Sequence, residues 1–221
     1  MDNSTASAKQ NAYDAIKHNI LHCIYRPNSY LSESMLTREF GLGRTPVREA
    51  LTMLEKEGWL SIEPQRGVIV SDLSINEIHQ VFEARMMIEP YILEKFGETI
   101  DKDVLAGLNR NFLKALSDSK SGNLEKLIDA DNKLHMFIVK HSNNRYSINT
   151  MELLIEQLQR IRTMVNTRWE EAGAEHLSFV KAVLESDYRE AANLLRLHLE
   201  NSKKGHYDTL ISNGGWKLPE T

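Results

Sequence analysis

The stretch Arg44-Thr45-Pro46-Val47-Arg48-Glu49-Ala50-Leu51 constrains this chain more than any other. Pro46 suits the first turn of a helix, where a missing N–H leaves no bond unmade. Val47, Ala50, Leu51 and Leu54 recur at three- and four-residue spacing, which gives the helix one apolar face. Arg44, Thr45 and Arg48 fall off that face, near its N-terminal end. A short helix with a buried back and guanidinium forks at its front fits a DNA major groove. There arginine can bond a guanine edge bidentately, or a phosphate. Alone, the octapeptide is equally compatible with a solvated helix that carries two arginines, so the flanks decide.

Ahead of it, Ala12, Ile16, Ile20 and Ile24 space as a helix face. Arg26-Pro27-Asn28 ends that helix, since Asn tolerates a left-handed turn. Ser32 is the N-cap of a short helix, 33–40, which stops at Gly41. Gly41-Leu42-Gly43 makes a tight turn, and the Arg44 helix runs to about Glu57 before Gly58 stops it. Trp59-Leu60-Ser61-Ile62 and Val68-Ile69-Val70-Ser71 are β-prone runs, joined through Glu63-Pro64-Gln65-Arg66-Gly67 as a hairpin. Residues 11–72 therefore read as a winged helix-turn-helix. The hairpin tip offers Gln65, Arg66 and Gly67, with Arg66 suited to a minor groove. Residues 1–75 hold eight Lys/Arg against nine Asp/Glu, a balance of −1. That excludes a non-specific nucleic-acid coat but not a reader with a few clustered arginines.

The chain is mainly α. After the Asp72-Leu73-Ser74 joint, residues 73–212 show helices and almost no strand signal, over about 75–97, 101–118, 123–142, 144–168, 171–185 and 187–211. Six such helices can enclose one all-α core. Residues 1–10 and 213–221 read as loose tails. No apolar run approaches the roughly twenty residues of a membrane span. Met1 to Gln10 lacks the apolar centre of a signal peptide. The single cysteine, Cys23, can form no internal disulfide and reads as core. A cytoplasmic location is expected.

Polar groups on the inward faces of the second part carry its chemistry. Asp131 and His135 lie one turn apart on the stripe of Leu124, Ile128 and Ile138. His176 shares a face with Val180 and Val183, and His198 with Ala191, Leu194 and Leu195. A buried carboxylate is expensive. One Asp and three imidazoles form a mixed oxygen and nitrogen shell suited to a divalent metal, with an open position for a carboxylate ligand. His18, His22, His79, His141 and His206 read as surface or ordinary core. Arg85 and Glu89 are spaced as a helical ion pair, or Arg85 turns inward to clamp a carboxylate. Arg162 borders the stripe of Leu154, Leu158, Ile161 and Val165 and is preferred over Arg160 for a similar role. Asn144 either lines the pocket or caps the helix that follows.

Both parts resemble known domains. Pro27-Asn28, Leu31-Ser32-Glu33, Arg44 to Leu51, Glu57-Gly58-Trp59 and Pro64-Gln65-Arg66-Gly67 resemble, in register, the DNA-binding domain of the GntR family of bacterial transcription regulators. The resemblance implies DNA contacts by Arg44, Thr45, Arg48, Arg66 and Gly67, with Arg38 as a further phosphate contact. Gly43 departs from the pattern, standing where the family usually has Ser, and Asn28 replaces the usual turn Gly. Arg85-x-x-x-Glu89, Asp131-x-x-x-His135, Asn144, Glu175-His176 and the run Asp187 to His198-Leu199 resemble the all-helical FCD ligand-binding domain of the family's FadR branch. Six helices make it similar to the VanR-type subgroup. This second resemblance implies a metal, zinc foremost, with nickel or manganese as alternatives, held by Asp131, His135, His176 and His198.

The reading is thus a ligand-responsive regulator, with repression as the commoner logic. Its implied partners are double-stranded operator DNA, a second copy of the chain and a small carboxylate effector bound by Arg85, Asn144 and Arg162. Two rivals are a DNA-binding protein whose helical domain only dimerises, and a metal-dependent hydrolase, which lacks a separate general base.

Overall fold

The computed structural model describes residues 2–64, 66–119, 124–164 and 168–212, without the side chains of 2–6. Gln65, Val165 and the segment 213–221 lie outside the described residues. The chain divides into two compact units, residues 1–74 and 75–221.

The first unit runs α1 (Asp2–Leu21), β1 (Tyr30–Leu31), α2 (Glu33–Phe40), α3 (Arg44–Lys56), β2 (Leu60–Glu63) and β3 (Gly67–Val70). Ala12, Ile16 and Ile20 of α1 meet Leu36 of α2 and Val47, Ala50, Leu51 and Leu54 of α3 in one core that Trp59 closes. Two expectations fail in α1. It begins at Asp2, so residues 2–10 are helical rather than frayed. It also ends at Leu21, and Cys23 takes φ 53°, so Ile24 leaves the apolar face and is exposed.

The turns follow local chemistry. Asn28 sits at φ 62°. Ser32 caps α2 by accepting from the Met35 N–H at 3.1 Å, and Gly41 ends it at φ 64°. Gly58 ends α3 at φ 81°. Gly43, at the N-cap of α3, supplies no side-chain bond. The sheet has the order β1-β3-β2, both pairs antiparallel. The β2–β3 hairpin is the wing; β1 is a third strand that the sequence did not announce. Gly67, at φ 97°, would bring a Cβ to 3.0 Å from the Leu31 carbonyl oxygen, so the turn and the nearness of β1 both demand glycine.

The second unit runs α4 (Ile75–Phe96), a 3-10 turn (Gly97–Thr99), α5 (Lys102–Ser119), α6 (Leu124–Lys140), α7 (Arg145–Met164), α8 (Trp169–Leu184) and α9 (Tyr188–Ser212). Six α-helices, among the described residues, match the six expected. Helix α4 packs on α9, α6 and α7, while α8 packs on α9 and α5, and α5 on α6. Polar residues of α4, α6, α7, α8 and α9 are buried inside this bundle.

In the first unit, Glu57 joins α1 to the wing. It accepts from Tyr13 Oη at 2.7 Å, Lys17 Nζ at 3.3 Å and Trp59 Nε1 at 3.1 Å. Burial pushes its carboxyl up, but Tyr13, Lys17 and Trp59 together outweigh burial and hold it below the ordinary value of 4.5. A carboxylate with a depressed folded pKa stabilises the fold above its unfolded pKa, and the contribution fades as pH falls through the folded value. Urea unfolding is therefore expected to find Glu57→Gln less stable than the wild type at neutral pH, with the gap closing in acid. A gap that stays constant with pH would remove the ionised carboxylate from the account.

Candidate metal centre and DNA-reading head

Periodicity puts Asp131, His135, His176 and His198 on the inner faces of α6, α8 and α9, and packing then brings them together. One ligand atom from each lies within 4.8 Å of every other, and all four residues are buried. His176 Nε2 stands 3.3 Å from His198 Nε2 and 3.4 Å from Asp131 Oδ1; His135 Nε2 is 3.7 Å from the same oxygen. Phe112 and Phe179 wall the cluster, with ring centroids 4.4 Å and 5.3 Å from that of His176.

Two outer carboxylates orient the rings. His135 Nδ1 donates to Glu89 Oε2 at 2.5 Å, and Glu89 also accepts from Arg85 Nε. Burial pushes Glu89 up, yet the charge of Arg85 and the hydrogen bond from His135 bring it down to about 2. It is ionised at neutral pH and can only accept, so His135 Nδ1 carries the proton of this bond and its Nε2 is left facing the cluster. His198 Nδ1 donates to Glu175 Oε2 at 2.8 Å in the same way. Arg168 and Asn201 hold Glu175 in turn. Burial, with the neighbouring imidazoles, pulls His176 well below its usual value, and burial likewise lowers His198. Burial would raise Asp131, but the guanidiniums of Arg162 first and Arg85 after it hold its carboxyl well below the usual carboxylate range.

The centre therefore turns three imidazoles and a carboxylate oxygen towards one point. His135 Nε2 has no hydrogen-bond partner among the described residues. Electron-rich atoms gathered this closely fit a divalent cation of the zinc type, and a carboxylate behind a ligating imidazole is the usual support for one.

Arg162 reaches the centre. Its Nη2 donates to Asp131 Oδ2 and its Nη1 to Asn132 Oδ1 at 2.7 Å. Arg85 also turns inward, and its pair with Glu89 is buried rather than solvated. Beside Asp131 and His198 lies a cavity of about 20 Å³, also lined by Phe82, Arg162, Trp169 and His206. That suffices for about one water, so any larger ligand must displace side chains.

In the first unit, Arg38, Arg44, Thr45, Arg48 and Arg66 are all exposed, and Gly67 is half-buried. Arg48 forks onto Glu33, its Nε at 3.0 Å from Oε1 and its Nη2 at 2.8 Å from Oε2. Arg66 lies 3.5 Å from Glu63. The front of α3 is thus open, its back buried, and one guanidinium is held in a fixed direction.

Both units match family models. Residues 8–70 match the bacterial regulatory proteins of the gntR family, and residues 80–201, more than half the chain, match the FCD domain. The chain belongs to the GntR family. Among similar proteins is the transcriptional repressor RspR of Escherichia coli K12, 24% identical over 217 residues, covering 97% of this chain and 95% of that one. Another is the repressor GlaR of the same organism, 27% identical over 198 residues, covering 85% and 90%. An uncharacterized regulator of Bacillus subtilis, YdhC, is 26% identical over 141 residues, 63% of each chain. A solved GntR regulator of Rhodococcus sp. RHA1 shares the fold, with TM-score 0.76 at 18% identity, over 91% of this chain and 98% of that one. The Zn2+-bound FCD domain of TM0439 matches with TM-score 0.55 at 21% identity, over 64% and 99%. The protein is a DNA-binding transcriptional regulator of the GntR family, not an enzyme.

Two expectations need correction in this GntR regulator. Asn144 is exposed, and its Oδ1 accepts from the N–H groups of Tyr146 at 2.9 Å and Ser147 at 3.4 Å. It caps α7 and does not line the cavity, because the first turn of α7 has its own unpaired donors to satisfy. His206, read as surface or ordinary core, is buried and lines the cavity. Sequence reasoning also missed Glu89 and Glu175 as supports of ligand rings. Their only signal was a motif partner, Arg85 for one and His176 for the other. Asn144→Ala is expected to cost about 1 kcal/mol of stability in chemical unfolding while leaving metal content unchanged. Loss of metal on that substitution would return Asn144 to the site.

Proposed function

We propose that this GntR-family regulator is a metal-dependent sensor of a small carboxylate that controls operator binding, most simply as a repressor relieved by its effector. The observation that carries this is the convergence of Asp131, His135, His176 and His198 within 4.8 Å. These four side chains would hold the ion, and zinc suits their donor set best. Bound there, the ion would supply a positive charge that can bind a ligand's carboxylate. The zinc-bound FCD domain named above supports this assignment by likeness of fold.

Charge bookkeeping favours an anionic effector. Arg85 and Arg162 balance Glu89 and Asp131 inside the bundle, where all four are buried. A divalent ion among neutral imidazoles would leave two positive charges unmatched in the interior, and an anion relieves that cost. Arg162, now spent on Asp131, and Arg85 are the side chains that would receive it. To act on DNA, the effector must bind two arrangements of the protein with different affinity.

The reading head would place α3 in the major groove through Arg44, Thr45 and Arg48, with Arg38 on a phosphate and the wing tip at Arg66 and Gly67 towards the minor groove. A two-fold homodimer on a near-palindromic operator would supply two such heads. A cytoplasmic site of action goes with this role. Among the described residues, no helix is long and apolar enough to cross a membrane.

Two measurements test the two halves. His135→Ala is expected to lose most of the bound metal by elemental analysis of the purified protein; full metal content would reject this ligand set. Arg48→Ala is expected to weaken operator binding by about 1–3 kcal/mol if it reads a base edge, as seen in a gel-shift titration. Unchanged affinity there would take Arg48 out of the interface.

A further inference from the structure

Helix α6 has a second face that the metal centre does not use. Asp131, His135 and Ile138 are buried on its inner stripe, and the opposite side of such a helix ordinarily carries polar residues. Instead, Lys133, Met136, Phe137 and Lys140 fall at i, i+3, i+4 and i+7, one further face with a thioether and a phenyl ring at its centre. Met136 and Phe137 are only half-buried. Val104 and Leu108, one turn apart on α5, and Ile155 on α7 complete the apolar wall of a groove of about 390 Å³. That is the size of a small-molecule pocket, roughly 300–1,000 Å³, and far larger than the 20 Å³ cavity beside Asp131.

The polar groups of the groove are few and one-signed. Asn132, Lys133 and Lys140 line it, and no acidic side chain does among the described residues. Asn132 Oδ1 is already taken by Arg162 Nη1 at 2.7 Å. Lys133 leans back on Asp129 at 2.6 Å, in an exposed pair. Lys140 is exposed and makes no ion pair among the described residues. The two lysines lie two turns apart, about 10 Å along the helix axis, so they bracket Met136 and Phe137.

This pattern selects an occupant. Apolar surface left facing water is unfavourable, and an apolar body would cover it. The sulfur of Met136 and the ring of Phe137 favour an aromatic body. A sugar or another polyol would find too few hydrogen-bond partners here. An unpaired ammonium at the rim suits one negative charge. We propose that this groove is a second ligand site, separate from the metal centre, which takes an amphipathic organic anion with its aromatic body on Met136 and Phe137 and its charged head at Lys140. The proposal does not depend on the carboxylate reading of the metal centre.

Isothermal titration calorimetry on the full-length, zinc-loaded protein tests it with naphthalene-2-sulfonate and 4-phenylbutyrate, each beside an uncharged counterpart, naphthalene-2-sulfonamide and 4-phenylbutanol. Both anions are expected to bind, about two- to fivefold more tightly than their counterparts, the scale of an exposed charge pair. Lys140→Gln should remove that advantage and leave the uncharged compounds unchanged. Val104→Asp, which sets a carboxylate on the apolar wall, should weaken the anions by about tenfold. Its melting temperature should hold, because Val104 is already 44% exposed and an acidic residue suits the first turn of α5. Removing zinc with EDTA should leave the affinities in place. Failure of both anions to bind the wild type would overturn the proposal, as would anion affinities that Lys140→Gln and Val104→Asp do not change. Binding that is lost with zinc would belong to the metal centre and overturn it as well. Dissociation into smaller species on Val104→Asp, seen by analytical ultracentrifugation, would make the groove a contact between copies of the chain and overturn it likewise.

Discussion

A carboxylate taken out of water must be met by positive charge, and the Arg162 guanidinium meets Asp131. Arg162 bonds one of its oxygens, while the other faces the Nε2 atoms of His135 and His176. Most of what is unusual inside the helical unit follows from this one buried charge. Arg162 is drawn inward from α7 to satisfy it. Glu89, far from Asp131 in sequence, is kept ionised by Arg85 and reaches His135 from the opposite side of the ring. A cation placed among these atoms would meet a site already oriented for it, because the unused nitrogens cannot turn away without breaking the Glu89 and Glu175 bonds.

Were an ion and an anionic effector to bind as proposed, the same charges would couple them into one thermodynamic unit. An ion that takes hold of Asp131 competes with Arg162 for that carboxylate. A guanidinium released from the pair sits at the cavity edge, where an incoming anion needs a partner. Ion and anion would then each favour the other, with the same coupling free energy in both directions. On that reading the buried polar groups would serve binding at some cost to stability, a cost of the kind seen at the stranded Nδ1 of His206.

The reading head works under a different constraint. Its core is apolar and local, built from α1, α2, α3 and the wing, and its arginines stay in water. With a balance of −1 over residues 1–75, net charge alone supplies no general attraction to a duplex. Selectivity must therefore rest on how a few side chains are presented. Glu33 holds the Arg48 fork in one direction, which would lower the entropy lost if that fork meets a base or phosphate as proposed.

Much of this was legible in the sequence because its causes are local. Ser32, Gly41 and Gly58 set helix ends through bonds and dihedrals that reach only a few residues. The apolar spacing of Val47, Ala50, Leu51 and Leu54 fixes a buried face, and so also which residues remain outside. The inward direction of Asp131, His135, His176 and His198 came from the same periodicity. The tertiary structure decided which inward faces meet. The bond from His135 to Glu89 spans 46 residues, and that from His198 to Glu175 spans 23. No helical period links such positions. It likewise moved His206 from ordinary core to cavity wall and left Asn144 as a cap. A helix's own periodicity tells which side chains leave solvent, but their partners depend on how separate helices pack, and packing is settled by shape and charge across the whole bundle.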